Sequence, residues 1–77
     1  MQQIEIRDEY ITLGQLLKLA GVVSTGGEVK DFLSEAEIIV NGEPDNRRGR
    51  KLRPGDIVLI VGVGEITVEA SGNGDDS

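Results

Sequence analysis

The chain has 77 residues, with 8 Lys plus Arg against 14 Asp plus Glu and a formal net charge of -6; a single domain of this size buries only roughly 60% of its unfolded surface. It contains no Cys and no His, which removes disulfides, zinc–thiolate sites and the commonest general base. Its longest strictly apolar run, Ile57 to Val61, is five residues, against about 20 for a membrane-spanning helix, and a charge of this sign argues against nucleic acid and anionic membranes alike.

Met1-Gln2-Gln3-Ile4-Glu5 lacks a basic segment followed by an apolar one, so no secretory signal is read there and a cytoplasmic protein is expected. Residues 3–7 alternate Gln-Ile-Glu-Ile-Arg, the period of a half-buried strand. Tyr10 and Ile11 lead into a helix over 13–20. Thr12 is its N-cap and Gln15 completes a capping box, with Ile11 and Leu16 spaced as a hydrophobic staple. Leu13, Leu16, Leu17 and Ala20 form the apolar face, and Gly21 is placed to end the helix in the left-handed region. Thr25 to Glu28 make a second capping box, and Val29, Phe32, Leu33 and Ala36 repeat the stripe over a helix at about 26–36.

That second helix opens on Gly26-Gly27, each about 1 kcal/mol worse than Ala in a helix. Either the glycines admit another backbone to the free N–H groups of the helix start, or they allow tight packing against the first helix. Gly26, Gly27, Lys30 and Ser34 share a stripe beside the apolar one.

Ile38 to Val40 is a short strand, closed by the Asn41-Gly42 turn. Residues 44–53 read as an irregular loop in which Leu52 is the one large apolar residue, and hence its anchor to the core. Pro54-Gly55 is a further turn, Ile57 to Val61 a strand that could be buried on both faces, and Gly62 to Gly64 another turn. Ile66, Val68 and Ala70 alternate in a last strand. Residues 71–77 contain no apolar side chain and are expected to be a disordered acidic tail on a single domain at 1–70. Two helices covering one face of a small, mostly antiparallel sheet make an α+β fold.

Net charge hides the distribution. Residues 1–46 carry -6 and residues 54–77 carry -5, while Arg47-Arg48-Gly49-Arg50-Lys51-Leu52-Arg53 carries +5 with no acid. A ligand docked there feels mainly its neighbours, because screening acts within about 8 Å. Arg presents a planar fork suited to phosphate oxygens. A plain surface loop would instead pair these cations with the surrounding acids. Catalytic signals are poor, with no activated nucleophile and no raised carboxylate in view, and neither a metal nor a cofactor is expected. Tyr10 and Phe32 are the only aromatic residues, too few for a base-stacking platform, so a nucleic-acid ligand would be read by backbone and shape.

The stretch from Ile11 to Asp56 resembles the alpha-L RNA-binding motif, first recognised in the fourth protein of the small ribosomal subunit. Gly21-Val22-Val23-Ser24-Thr25 joins two helices, Val40-Asn41-Gly42 precedes a basic loop, and Pro54-Gly55-Asp56 follows it, in that family's order and spacing. The resemblance is closer still to the small stand-alone bacterial members, the YaaA-like or YbcJ-like proteins. It extends to Tyr10-Ile11-Thr12-Leu13-Gly14-Gln15, to Gly26-Gly27 with Lys30, and to Asn46 through Leu52. What it implies is a non-enzymatic module that binds structured RNA, ribosomal RNA above all. Gly26 and Gly27 stand where many relatives carry a basic pair, which shifts the binding toward the loop.

The expected RNA-binding residues are Lys18, Gly26, Gly27, Lys30, Arg47, Arg48, Arg50, Lys51 and Arg53, in a monomer with ribosomal proteins as further neighbours. The competing reading is an adaptor whose basic loop docks on an acidic protein within a ribonucleoprotein assembly.

Overall fold

Thr12 and Thr25 set the starts of both helices. A computed structural model describes residues 2–71. Helix α1 spans Leu13–Leu19 and helix α2 spans Gly26–Glu35. At α1 the capping box is complete: the Gln15 N–H donates to Thr12 Oγ1 (3.2 Å) and the Thr12 N–H to Gln15 Oε1 (2.9 Å). At α2 the Glu28 N–H donates to Thr25 Oγ1 (3.2 Å), but the Glu28 carboxylate takes the N–H of Ser24, one residue earlier than a standard box (2.6 Å). Gly21 ends α1 at φ +78. Its N–H reaches the Lys18 carbonyl and that of Val22 reaches Leu17, the paired bonds of a Schellman ending.

The strands are β1 (Gln2–Ile6), β2 (Ile11–Thr12), β3 (Ile38–Val40), β4 (Glu43–Pro44), β5 (Lys51–Leu52), β6 (Ile57–Ile60) and β7 (Gly64–Ala70). Five form one sheet in the order β1-β7-β6-β3-β4. Its pairs are antiparallel except β1 with β7, which is parallel, Gln2 opposite Ile66 through Ile6 opposite Ala70. The α+β architecture read from the sequence is the one observed. β2 and β5 form a separate two-stranded ladder, with Ile11 opposite Leu52.

Asn41 (φ +52) and Gly42 (φ +87) make the two-residue turn from β3 to β4. Asn41 also ties that turn to the next one. Its amide donates to Asp56 (3.1 Å), its carbonyl oxygen accepts the Ile57 N–H (2.9 Å), and Asp56 in turn accepts the Arg53 N–H (2.9 Å). The basic segment is thereby held between two cross-braced turns.

The core lies between the helices and one sheet face. Leu13, Leu16 and Leu17 of α1 and Val29 and Leu33 of α2 meet Ile38, Val40, Val58, Ile60, Ile66 and Val68. Leu52 joins them with no exposed surface, as its isolation in the loop implied. Phe32 and Ala36 are only half-buried against this cluster.

Three expectations need correction. The strand at 57–61 stops at Ile60 and is buried on one face alone, since Ile57 and Leu59 are exposed. An unbroken apolar run is compatible with two buried faces, but helices cover only one side of this sheet. The segment 44–53 is less irregular than expected, because Pro44 lies in β4 and Lys51–Leu52 in β5. Ser71 belongs with the fold, donating its N–H to the Ile6 carbonyl (2.8 Å); the rest of the expected tail lies outside the described residues.

Leu52 closes the core beneath the basic loop. Leu52→Ala should cost about 3 kcal/mol, measured by urea unfolding, and should release the β2–β5 ladder with it.

Candidate functional site

Residues 45–50 form a loop stitched to both helices through backbone groups that helices leave open. The Asn46 side-chain amide donates to the carbonyls of Leu33 (2.8 Å) and Ala36 (2.9 Å), at the C-terminus of α2. Carbonyls there have no intrahelical partner. At the other side, the Leu13 N–H donates to the Arg50 carbonyl (2.8 Å) and the Gly14 N–H to the Arg48 carbonyl (3.0 Å). Leu13 and Gly14 open α1, where N–H groups also lack helical partners. The backbone of the basic loop therefore caps α1, and its side chains are held beside the two helix starts.

Arg48 lies where those starts converge. A Cβ added to Gly14 would stand 3.1 Å from Arg48 Cγ and 3.3 Å from Val29 Cγ1, and one on Gly26 would stand 3.6 Å from Arg48 Nη2. The Arg48 side chain thus runs from the first turn of α1 to the first turn of α2. Lys18 follows Gly14 by four residues and Lys30 follows Gly26 by four, one turn along the same helix faces. Lys18 and Arg48 line a common hollow of about 270 Å³ with Thr12, Gly14, Gln15 and Val29.

The glycines divide in role. Gly26 packs against the Arg48 guanidinium, and the close approach of the two helices falls at Gly14. A Cβ on Gly27 would meet only Thr25 Oγ1, at 3.9 Å, so nothing packs tightly there. Gly14 was not singled out in the sequence. Its signal was the one that marked Gly26: a glycine in the first turn of an otherwise well-formed helix.

A second group of cations gathers at Tyr10. Lys51 Nζ lies 4.9 Å and Arg53 Cζ 6.0 Å from the ring centroid, within cation–π range. Arg47, Gly49, Arg50, Lys51, Arg53 and Asp56 line an open cleft of about 540 Å³ beside it.

Asp45 is the internal counter-ion of the loop. Its carboxylate accepts from Arg47 Nε (3.1 Å), Arg47 Nη2 (2.9 Å), the Arg47 N–H (3.0 Å) and Arg50 Nη1 (2.9 Å). The Arg47 side chain is the largest influence, and with its backbone N–H and Arg50 it holds the Asp45 carboxyl far below the usual carboxylate range although burial opposes it. The same contact raises Arg47. The Asp45 side chain is 10% exposed, against 29% for Arg50 and 73% for Arg47. Arg50 is therefore a brace inside the loop, while Arg47 keeps much of its guanidinium in solvent.

Among the described residues the ion pairs are those two. Arg48, Lys51, Arg53, Lys18 and Lys30 have no carboxylate within pairing distance there. The plain reading of the loop, cations cancelled by neighbouring acids, holds for Arg47 and Arg50 only. No three Asp or Glu side chains among the described residues are grouped to hold a metal ion, and no helix there is long and apolar enough to cross a membrane.

Two short helices on a small sheet, with a basic loop braced between an Asn-Gly and a Pro-Gly-Asp turn, define a recognisable class. The S4 domain matches residues 4–69, and the chain belongs to that family. It is 62% identical over 65 residues to the Bacillus subtilis (strain 168) protein named "Probable ribosome maturation protein RlbA", covering 84% of this chain and 92% of that one.

Two predictions follow from this geometry. Gly14→Leu should lower stability by about 2 kcal/mol through overpacking against Arg48 and Val29, whereas Gly27→Ala should leave it unchanged or raise it by up to about 1 kcal/mol; thermal unfolding separates them. Asp45→Asn should be less stable than wild type at neutral pH. Because the folded-state pKa of Asp45 is depressed, its contribution is complete above the unfolded value of about 4 and fades as pH falls further. Denaturant titrations from pH 7 down to pH 2 should show the gap between the two proteins closing below about pH 4.

Proposed function

We propose that this chain is a non-enzymatic module that binds structured RNA, ribosomal RNA foremost, through the basic loop and the adjoining helix faces. The observation that carries the reading is Arg48, unneutralised among the described residues and seated between two helix starts with Lys18 and Lys30 one turn away. Membership of the S4 domain family supports it, as does the name of the Bacillus relative, a ribosome maturation protein.

The residues divide the work. Arg48, Lys18 and Lys30 form one basic surface, and Lys51 and Arg53 around Tyr10 form the next. Each offers donors to phosphate oxygens without first breaking an ion pair. Arg47 turns a guanidinium toward solvent while anchored on Asp45, and Arg50 holds the loop in shape. The Arg48 guanidinium passes the start of α2 at Gly26, where an added Cβ would stand at ordinary contact distance (3.6 Å), so the tight fit around Arg48 falls at Gly14. Tyr10 already faces two cations, so recognition by charge and shape fits better than stacking of bases.

Five phosphates neutralised by Arg48, Lys51, Arg53, Lys18 and Lys30 give a log–log salt slope of roughly -3.5 to -4.5. Titration of a structured ribosomal RNA fragment across salt concentrations tests this. Arg48→Gln should weaken binding and reduce the slope by about 1. Arg50→Gln should weaken it chiefly by loosening the loop, with a matching loss in thermal stability. Equal affinity for wild type and an Arg48→Glu/Lys51→Glu/Arg53→Glu variant would refute the proposal.

A further inference from the structure

The face of the five-stranded sheet turned away from the helices is apolar along its middle and acidic at its margins. Ile57 and Leu59 of β6 point outward and are 41% and 38% exposed, and Val61, just past the strand, is 49% exposed. Ile39 pairs with Leu59 on one side and with Pro44 on the other, extending the apolar stripe across three strands. Single exposed apolar residues are ordinary; a contiguous set with a polar rim is the mark of an interaction surface.

The rim has one sign. Glu65 stands opposite Leu59 on β7, and Glu69 stands directly opposite Glu5 on β1. Glu37 accepts the Val61 N–H through its backbone carbonyl, which places it beside the far end of the stripe. No strand of this sheet carries a Lys or Arg; Arg7 comes just past the end of β1. Among the described residues, none of these carboxylates is in an ion pair. Facing like charges such as Glu5 and Glu69 destabilise a sheet, and among the described residues the one side-chain donor to them is Gln3, 3.2 Å from Glu69.

We infer that this outer sheet face docks a basic protein partner, one that lays apolar side chains along Ile39, Ile57, Leu59 and Val61 and sets Lys or Arg against Glu5, Glu37, Glu65 and Glu69. Charge complementarity selects this occupant. RNA would meet carboxylates alone, and a second copy of the chain would bring the same acidic rim against itself. The inference goes beyond the RNA-binding proposal and uses none of its residues, so the two stand or fall separately. The chain then acts as a two-sided bridge, with phosphate-binding cations on one side and a basic protein on the other.

The test is site-specific photocrosslinking of the full chain in cells, with benzoylphenylalanine at position 59 and, as a control, at position 30. The protein joined at position 59 is identified by mass spectrometry, purified and titrated. The expected target is a protein of net positive charge. Its affinity should fall at least tenfold for Ile57→Thr/Leu59→Gln and for Glu65→Lys/Glu69→Lys, while affinity for a structured ribosomal RNA fragment stays within twofold. Both variants lie on the exposed face and should keep the wild-type circular dichroism spectrum, the check that they fold. A position-59 adduct with RNA, with a second copy or with an acidic protein overturns the inference. So does the absence of any adduct above the position-30 control, or a target whose affinity ignores both double variants.

Discussion

Capping of α1 by the carbonyls of Arg48 and Arg50 is the contact on which the arrangement of this protein depends. A helix start exposes N–H groups that need acceptors, and here the acceptors come from the segment with the highest positive charge in the chain. The backbone bond sets the loop on the helices, and Arg48 is thereby laid between Gly14 and Gly26. A flexible cationic loop would lose conformational entropy on meeting a ligand. This loop is already ordered by Asn46 at α2, by the α1 cap and by Leu52 in the core.

Asp45 solves the electrostatic difficulty of such a loop. Five cations in seven residues repel one another, and one largely buried carboxylate holds two of them through four hydrogen bonds. The cost is that Arg47 and Arg50 are partly spent inside the loop, so the outward surface depends on Arg48, Lys51 and Arg53. Asp56 shares the cleft with Arg53 and accepts its N–H, while Glu5, Glu65 and Glu69 stand on the five-stranded sheet. Concentration of five cations in one short segment lets a chain of net charge -6 present a basic patch, since screening weakens the field of acids farther away than about 8 Å.

Much of the fold was legible because local chemistry and tertiary structure agree in it. Thr12 with Gln15 and Thr25 with Glu28 placed both helix starts, Gly21 placed the end of α1, and Asn41-Gly42 placed the β3–β4 turn. The solitary Leu52 identified its own burial. The glycine pair at α2 was recognised as unusual, but its two members could not be separated, since what distinguishes them is the Arg48 side chain arriving from 22 positions further along the sequence. Gly14 bears the same local mark, a glycine in a first helical turn, and the Arg48 side chain that crowds it also arrives from far along the chain.

The sequence by itself determined where helices and turns begin and end, which side chains are apolar enough for a core, and that the cations are gathered in one segment; each rests on neighbours a few residues apart. Only the tertiary structure decided which of those cations are free. Asp45 takes Arg47 and Arg50, Tyr10 faces Lys51 and Arg53, and Arg48 is left between the helices. It also decided the parallel β1–β7 pairing, and that β6 buries one face and exposes the other. These outcomes depend on what packs against a segment from far along the chain, and the apolar run from Ile57 to Val61 reads the same whether helices cover one side of it or both.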